Sequence, residues 1–197
     1  MRIEVRHESA TSLREYSRIP IAFSASEIFD VAVDSRNNIT LTARRLADVY
    51  HKDYDVIDGG PQAWPHRFNI SNWAFFSAFA NGERIGGAAI AHRTSSLDML
   101  EDRDDLAVLW DIRVAPLARG AGAGAALFEA ATIWARSVGC RQLKVETQNT
   151  NADACRFYAR QGCVLAKARW DFYPELPGEI QLLWYKDLAP VNGQGDA

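Results

Sequence analysis

The chain has 197 residues, of which 48% are hydrophobic, with a formal net charge of −3 and no run rich in Lys and Arg. This length and composition suit one globular domain, and the charge argues against nucleic acid as a main partner, because binding phosphates needs a clustered basic surface. No apolar run approaches the ~20 residues of a membrane-spanning helix, and the start MRIEVRHE is unlike a secretory signal. We therefore expect a cytoplasmic protein with no membrane partner, with one domain over residues 1–188 and a flexible polar tail over 189–197.

The first part of the chain predicts strands and one helix. Residues 3–5 alternate like a strand, and residues 9–19 have a helical pattern that Pro20 closes. Two further strands, at residues 29–33 and 39–43, flank a polar turn.

The clearest hairpin joins residues 73–80 to residues 85–92 through the dipeptide Asn81-Gly82. A strand, a helix, a strand, a helix and a final strand follow, at residues 106–114, 121–138, 142–147, between the N-cap Asn151 and Gly162, and at 179–185. This order predicts an α/β fold with a mixed central sheet and helices on both faces.

The stretch VAPLARGAGAGAAL, residues 114–127, leads from a strand into a helix through glycines and alanines. Residues with almost no side chain let backbone N–H groups approach an anion, and a helix N-terminus favours the same charge. The sequence therefore predicts a site for a phosphorylated cofactor. A P-loop is excluded because no Lys follows the last glycine. A dinucleotide site is an alternative, since Gly120, Gly122 and Ala125 fit GxGxx(G/A). Glu146, at the end of the next strand, would then be the ribose-binding acid.

Two motifs support another interpretation of the same loop. The pattern RxxGxG begins at Arg119, and the pattern NxxAxxxY runs from Asn151 to Tyr158. With these motifs in this order, the chain resembles the GNAT superfamily of N-acetyltransferases, whose acyl-CoA signature is (Q/R)xxGx(G/A). Residues 106–187 are similar to the streptothricin acetyltransferases within that superfamily. Before them, the order of elements and a KDY segment at Tyr54 fit the same plan.

The resemblance implies acetyl-CoA as the acyl donor. The thioester oxygen gains negative charge when the amine attacks, and we expect a backbone N–H group of the strand at residues 111–114 to stabilise it. The residues that the resemblance implies in cofactor binding are Ile112, Arg113, Val114, Arg119, Gly120, Ala121, Gly122, Ala123, Gly124 and Asn151. It further implies direct transfer to an amine of a small cationic acceptor, with a streptothricin-like antibiotic as the first candidate, and family members often form homodimers. Another polyamine, an aminoglycoside or a lysine side chain is the alternative acceptor. A domain that binds a dinucleotide or CoA without transferring a group is the alternative of a different class.

Amine acetylation needs a group that removes a proton from the acceptor. A lysine-like ammonium with a pKa of ~10.4 is neutral in only about one molecule in 2,500 at pH 7, a cost of roughly 4.6 kcal/mol. Glu146 and Asp111 are the candidate bases. The alternative for each is a bond to backbone or an ion pair with Arg113 or Lys144. By the resemblance Tyr158 is the acid for the leaving thiolate, and a core tyrosine is the alternative.

Residues after the second motif are candidates for the acceptor site. Asp171, Tyr173 and Glu175 are assigned to it because a polycationic acceptor favours carboxylates and aromatic faces. Glu179 follows them, and scattered surface acids are the alternative. Residues 58–68 form a loop with no assigned role. The four histidines and three cysteines lack metal-ligand spacing, so we expect no metal and reduced buried thiols.

Overall fold

The computed structural model describes residues 2–188, which contain nine β-strands and five α-helices. The strands are β1 (Ile3–Glu8), β2 (Phe23–Val33), β3 (Ile39–Lys52), β4 (Ala74–Ala80), β5 (Glu83–Ala91), β6 (Leu106–Val114), β7 (Gln142–Gln148), β8 (Val164–Arg169) and β9 (Gln181–Asp187). The helices are α1 (Leu13–Tyr16), α2 (Tyr54–Asp58), α3 (Trp64–Arg67), α4 (Ala123–Ser137) and α5 (Ala152–Arg160). The predicted tail, 189–197, lies outside the described residues. Within 2–188 no helix has the length and apolar character that crossing a bilayer requires.

Seven strands form one sheet in the order β1-β4-β5-β6-β7-β9-β8. In this sheet β6 and β7 are parallel, and the other neighbouring pairs are antiparallel. The predicted mixed sheet is therefore confirmed. β2 and β3 pair with each other in a separate ribbon. The ribbon is tied to the end of β7, because Phe29 N donates to Asn149 O at 2.9 Å and Asn149 Nδ2 donates to Phe29 O at 3.0 Å.

Both faces of the central strands β4 to β6 are largely buried. Side chains along β4 to β6 alternate between two hydrophobic clusters, as the two-residue period of a strand requires. One cluster includes Leu127 from α4 and Cys155 from α5. The other includes Tyr16 from α1 and Trp64 from α3. Helices therefore cover both faces, as predicted.

The predicted hairpin is confirmed, and the predicted N-terminal helix is shorter and less regular than expected. β4 and β5 pair across Asn81 and Gly82, whose φ angles of 51° and 82° are those of a tight hairpin turn. Residues 9–19 instead form a short 3-10 turn and the four-residue helix α1. Ser12 Oγ donates to Ser9 O at 2.8 Å, so a side chain competes for the local backbone groups and limits the helix.

Other elements differ from the prediction in length. β2 and β3 extend well beyond residues 29–33 and 39–43, because each supplies backbone partners to the other along most of its length. α4 begins at Ala123 and not at residue 121, since Gly122 has a left-handed φ of 95° and is the N-cap. β8 was not predicted, and its side chains are mostly exposed, so its sequence carries little hydrophobic alternation.

The parallel strands β6 and β7 separate before they end. Their pairing stops at Leu109 and Val145, whereas β6 continues to Val114 and β7 to Gln148. At the same point Trp110 is an extra residue in β6 relative to β5, which is a β-bulge. The diverging strand ends leave a cleft in the centre of the sheet.

Candidate active site

The cleft between β6 and β7 opens into a cavity of about 1260 Å³. Small-molecule sites commonly enclose ~300–1,000 Å³, so this cavity has room for two substrates side by side. Its walls come from the end of β6, the loop into α4, α5, α2 and the end of β7. Lining residues with relevance to chemistry are Lys52, Tyr54, Asp111, Arg119, Gly120, Gly122, Gly124, Glu146, Gln148, Asn151, Tyr158 and Tyr173.

The glycine loop presents backbone N–H groups to one end of the cavity. Gly120 and Gly122 have left-handed φ angles of 79° and 95°, which glycine adopts at little cost. The N–H groups of the first turn of α4, at 123–125, have no acceptor within the helix. An added Cβ at Gly120 would meet no heavy atom within 4 Å, so this part of the backbone faces open space. These features fit a diphosphate, the group that the loop would hold in acetyl-CoA.

Arg119 fixes the loop in place. Its guanidinium donates to Val114 O at 3.2 Å and to Ala22 O at 2.9 Å. It therefore ties the loop both to the strand before it and to the segment that leads into β2.

The sheet topology excludes the dinucleotide alternative. A Rossmann domain needs several parallel strands joined by crossover helices. Among the described residues β6 and β7 are the parallel neighbours, and the remaining pairs are antiparallel.

The helix α5 brings Asn151 and Tyr158 to the cavity. Asn151 is the N-cap, and its side-chain oxygen accepts from Ala154 N at 3.1 Å. Tyr158 is 5% exposed and packs against Phe128 and Phe157. Burial raises the pKa of the Tyr158 hydroxyl well above its usual value, so the group stays protonated at neutral pH. No residue of the described part of the chain forms a hydrogen bond with this hydroxyl, and Tyr158 lines the cavity.

Glu146 lies at the diverging end of β7, in a network of hydrogen bonds. Tyr173 donates to Glu146 Oε1, and Gln181 Nε2 donates to Oε2 at 2.7 Å. Gln148 Nε2 donates to the Tyr173 hydroxyl at 2.7 Å, and its Oε1 accepts from the Tyr54 hydroxyl at 2.5 Å. The carboxylate is thus held in a defined orientation at the cavity wall.

Asp111 is held in a buried cluster on the α1 side of the sheet. Arg113 Nη2 and Nε bind its two oxygens at 2.6 Å and 3.0 Å, and the Tyr16 hydroxyl donates to it at 2.6 Å. Arg113 also binds both oxygens of Asp55 in α2, at 2.8 Å and 2.9 Å. Burial alone would lower the pKa of Arg113, but its bonds to Asp111 and Asp55 raise it. Asp111 therefore has the ion pair with Arg113 that the sequence offered as its alternative role.

The structure brings some of the assigned acceptor residues to the cavity and not others. Tyr173 lines the cavity, whereas Asp171 and Glu175 are exposed and lie outside its lining. Glu179 is buried and binds Lys52 Nζ at 2.5 Å.

Sequence reasoning missed Gln148 and Gln181, and it noted Lys52 and Tyr54 only as part of the KDY segment, without a role. Gln148 carried a usable signal, since it follows Glu146 by two residues on one strand and so shares its face. For Lys52 and Gln181 no signal indicated a place in the site, because they come from distant parts of the chain. Among residues 2–188 there is no group of three or more His, Cys, Asp or Glu that could hold a metal ion.

The fold and the site agree with one known family. The model of the acetyltransferase (GNAT) family matches residues 43–163, more than half of the chain. The chain therefore belongs to the GNAT family of acetyltransferases, and it is an acetyl-CoA-dependent N-acetyltransferase, as the motifs predicted.

Two relatives within this family are streptothricin acetyltransferases. Streptothricin acetyltransferase of Escherichia coli is 28% identical over 166 residues, which cover 83% of this chain and 84% of that protein. Streptothricin acetyltransferase A of Bacillus subtilis (strain 168) is 36% identical over 81 residues, 40% of this chain and 47% of the relative.

Two solved structures share the fold. Nourseothricin acetyltransferase gives a TM-score of 0.73 at 22% identity, over 95% of this chain and 99% of that one. A protein from Bacillus anthracis str. Ames, solved in complex with acetyl coenzyme A, gives 0.77 at 21% identity, over 94% and 99%.

Proposed function

We propose that the protein transfers the acetyl group of acetyl-CoA to a primary amine of a small cationic acceptor, with a streptothricin-like antibiotic as the first acceptor to test. The observation that carries this proposal is the cleft that joins the glycine loop, Tyr158 and Glu146 in one cavity. The names of the Escherichia coli and Bacillus subtilis relatives support the acceptor class. Another polyamine, an aminoglycoside or a lysine side chain would use the same chemistry.

In this proposal the loop at 119–124 holds the diphosphate through its backbone N–H groups. The backbone of β6 at 112–114 runs beyond its pairing with β7, which supports a role in binding the pantetheine arm and the thioester oxygen. Asn151 uses its oxygen as the cap of α5, so its amide nitrogen is the group that would donate to the cofactor arm.

Glu146 is the proposed base, acting on the amine directly or through a water. The amine must lose a proton at a cost of roughly 4.6 kcal/mol at pH 7. Its nitrogen then attacks the thioester carbon, the C–N bond forms and the C–S bond breaks. We favour Glu146 over Asp111 because the Asp111 carboxylate is held in a buried ion pair with Arg113 and also accepts a hydrogen bond from Tyr16.

Tyr158 is the proposed donor to the sulfur that leaves. Burial keeps its hydroxyl protonated, whereas the thiol that forms has a pKa of only ~8.5. Complete proton transfer to the thiolate would therefore be unfavourable. A hydrogen bond that stabilises the developing thiolate needs no such transfer, and this is the role we propose.

Tyr173 is the acceptor-side residue best supported by position, because it lines the cavity and donates to Glu146. Asp171 and Glu175, being exposed, would serve only the outer, cationic part of a larger acceptor.

An acceptor screen tests the function. Release of free CoA is followed with streptothricin, spermidine, aminoglycosides and lysine peptides side by side, each at several concentrations. We expect the highest kcat/KM for streptothricin. A higher kcat/KM for any other amine moves the acceptor to that class, and no CoA release with any amine contradicts the proposal.

A thermal-shift comparison tests the cofactor separately. A ligand that binds the folded state alone raises the unfolding midpoint with its concentration. Acetyl-CoA is expected to raise the midpoint, and NAD is not. A rise of the midpoint with NAD and none with acetyl-CoA would contradict acetyl-CoA as the cofactor.

Two further proposals concern the cellular compartment and the oligomeric state of the enzyme. The three cysteines are free and buried, which supports a reducing compartment such as the cytoplasm. A homodimer remains a prediction, which light scattering at several protein concentrations would test.

A further inference from the structure

A buried ion pair lies next to Tyr54 and Tyr173, two tyrosines that line the cavity. Lys52 Nζ is 2.5 Å from Glu179 Oε2, and both side chains are 6% exposed. The Tyr50 hydroxyl donates to the other oxygen of Glu179. A buried ion pair contributes little net stability compared with apolar side chains of similar volume, because desolvation offsets the attraction. Stability alone therefore gives little reason for two charges at this place.

The Lys52 ammonium contacts the faces of two tyrosines. It lies 5.2 Å from the ring centroid of Tyr54 and 5.8 Å from that of Tyr173, within the ~6 Å range of cation–π attraction. Tyr54 begins α2, and Tyr173 lies between β8 and β9. Lys52 thus joins two segments that are far apart in the chain.

The hydroxyls of the same tyrosines meet beside Glu146. Tyr54 donates to Gln148 Oε1 at 2.5 Å, Gln148 Nε2 donates to the Tyr173 hydroxyl at 2.7 Å, and Tyr173 donates to Glu146. The positions of the two rings therefore determine the position of the hydroxyl that holds the carboxylate.

We propose that Lys52 is a positioning residue for Glu146. Held by Glu179, its ammonium fixes the rings of Tyr54 and Tyr173. The Tyr173 hydroxyl then holds the Glu146 carboxylate in place for the acceptor amine. This inference rests on the proposed base role of Glu146. Lys52 does not itself bind the acceptor cation, because its ammonium is bound to Glu179 and carries the same charge.

The chain offers a matched control in a second Lys–Glu pair. Lys144 Nζ is 3.0 Å from Glu101 Oε1, and the Lys144 side chain is 3% exposed. Its ammonium lies 5.6 Å from the ring centroid of Tyr185. The arrangement resembles that of Lys52, but neither Lys144 nor Glu101 lines the cavity.

The test compares the double variant Lys52→Met/Glu179→Gln with the control Lys144→Met/Glu101→Gln. Each removes both charges, so no buried charge is left unpaired. With streptothricin as acceptor, we expect kcat to fall about 10- to 100-fold in the first variant, since misplacing a reacting group by about 1 Å has an effect of this size. The KM for acetyl-CoA stays within about twofold, and the control keeps both constants within about twofold.

A second measurement asks whether Lys52 acts through Tyr173. The Lys52→Met/Glu179→Gln change is repeated in a Tyr173→Phe background. If the residues act as one unit, the second change adds little to the loss from the first. Losses that multiply would show independent effects and overturn the proposal.

The other outcomes distinguish a failure of the Lys52 role from a failure of the proposed function. A wild-type enzyme that is active beside a variant with unchanged kcat overturns the role of Lys52 and leaves the proposed function intact. If the wild type acetylates no amine, the proposed function fails. Crystal structures of both variants then test Lys52, since unchanged Tyr54 and Tyr173 rings overturn its role and displaced rings support it. A Lys52 variant that does not fold, beside a folded control, would make the pair a fold-stabilising one and overturn the proposal.

Discussion

The strand β7 carries two charged residues on one face, and they lie in different surroundings. One is in the part of β7 that pairs with β6, and the other is in the part that does not. Lys144 lies where β7 still pairs with β6, and it is bound by Glu101 and by the Met99 carbonyl at 2.9 Å. Glu146 comes two residues later, beyond the last pair with β6, and it lines the cavity. Because the strand period is two, both side chains leave β7 on the same side.

The difference shows what the divergence of β6 and β7 achieves. At the paired end of β7, Glu101 Oε1 binds Lys144 Nζ, Lys167 Nζ at 3.3 Å and the Tyr185 hydroxyl at 2.6 Å. These groups form an ionic cluster that does not line the cavity, and we call this the closed end. At the open end Tyr173 and Gln181 orient a carboxylate that faces a cavity. The separation of the strands, more than the local sequence, decides which charged residue can meet a substrate.

The largest expected effect follows from Glu146→Gln. A glutamine keeps the shape of the side chain but cannot accept the proton of the amine, so we expect kcat to fall about 100-fold or more. CoA release with streptothricin measures it. The control Glu101→Gln, at the closed end, should stay within about twofold of the wild type. A Glu146→Gln enzyme within about threefold of the wild type would remove Glu146 from the base role.

The proposed cofactor site was easier to predict from the sequence than the proposed acceptor site, for a physical reason. The loop at 119–124 and the cap Asn151 belong to consecutive strand-to-helix units, whose local geometry follows from glycine and capping preferences. Lys52 and Tyr54 reach the cavity through the ribbon and α2, and their partners Glu179 and Tyr173 lie more than a hundred residues further on. No periodicity or motif connects such distant segments.

The role of Asp111 shows the same limit within one strand. Alternation alone could not say which side of β6 faces the cleft, and the bulge at Trp110 changes the register beside it. The sequence offered an ion pair with Arg113 only as one alternative, and the link from Arg113 to Asp55 in α2 became visible only with the fold.

A second prediction concerns Tyr158→Phe. Loss of the hydroxyl should lower kcat about 10-fold, because the hydrogen bond that it would donate to the developing thiolate is worth about 1.4 kcal/mol. The affinity for acetyl-CoA, measured by calorimetry, should change little. A variant that binds acetyl-CoA poorly but turns over normally at saturation would assign Tyr158 to binding.

A third prediction tests the glycine loop with Gly122→Ala. The φ of 95° strains any other residue, at a cost of about 1 kcal/mol or more, although the nearest protein atom to the added Cβ, in Ile3, is 3.9 Å away. The loop backbone would shift to relieve this strain, and its N–H groups would then point away from the diphosphate. The KM for acetyl-CoA should therefore rise about fivefold. The control is Gly139→Ala after α4, where φ is 89° and nothing lies within 4 Å. It should lose similar stability and keep its KM. Equal KM values in both variants would contradict the role of the loop.

The smallest effect is expected at the closed end, in the pH dependence of stability. Burial alone would raise the pKa of Glu101, but hydrogen bonds from Tyr185 and Lys144 lower it to about 2, from 4.5. A carboxyl whose pKa is lower in the folded state stabilises the fold above about pH 4.5, and this contribution is lost as the pH falls toward 2. Because the Glu101 side chain is 30% exposed, we expect it to be worth only about 1 kcal/mol. Urea unfolding at a series of pH values should show a shallower loss of stability on acidification for Glu101→Gln than for the wild type. Identical pH slopes would mean that the ionic cluster does not stabilise the paired end of the sheet, and the contrast with the open end would then rest on the cavity alone.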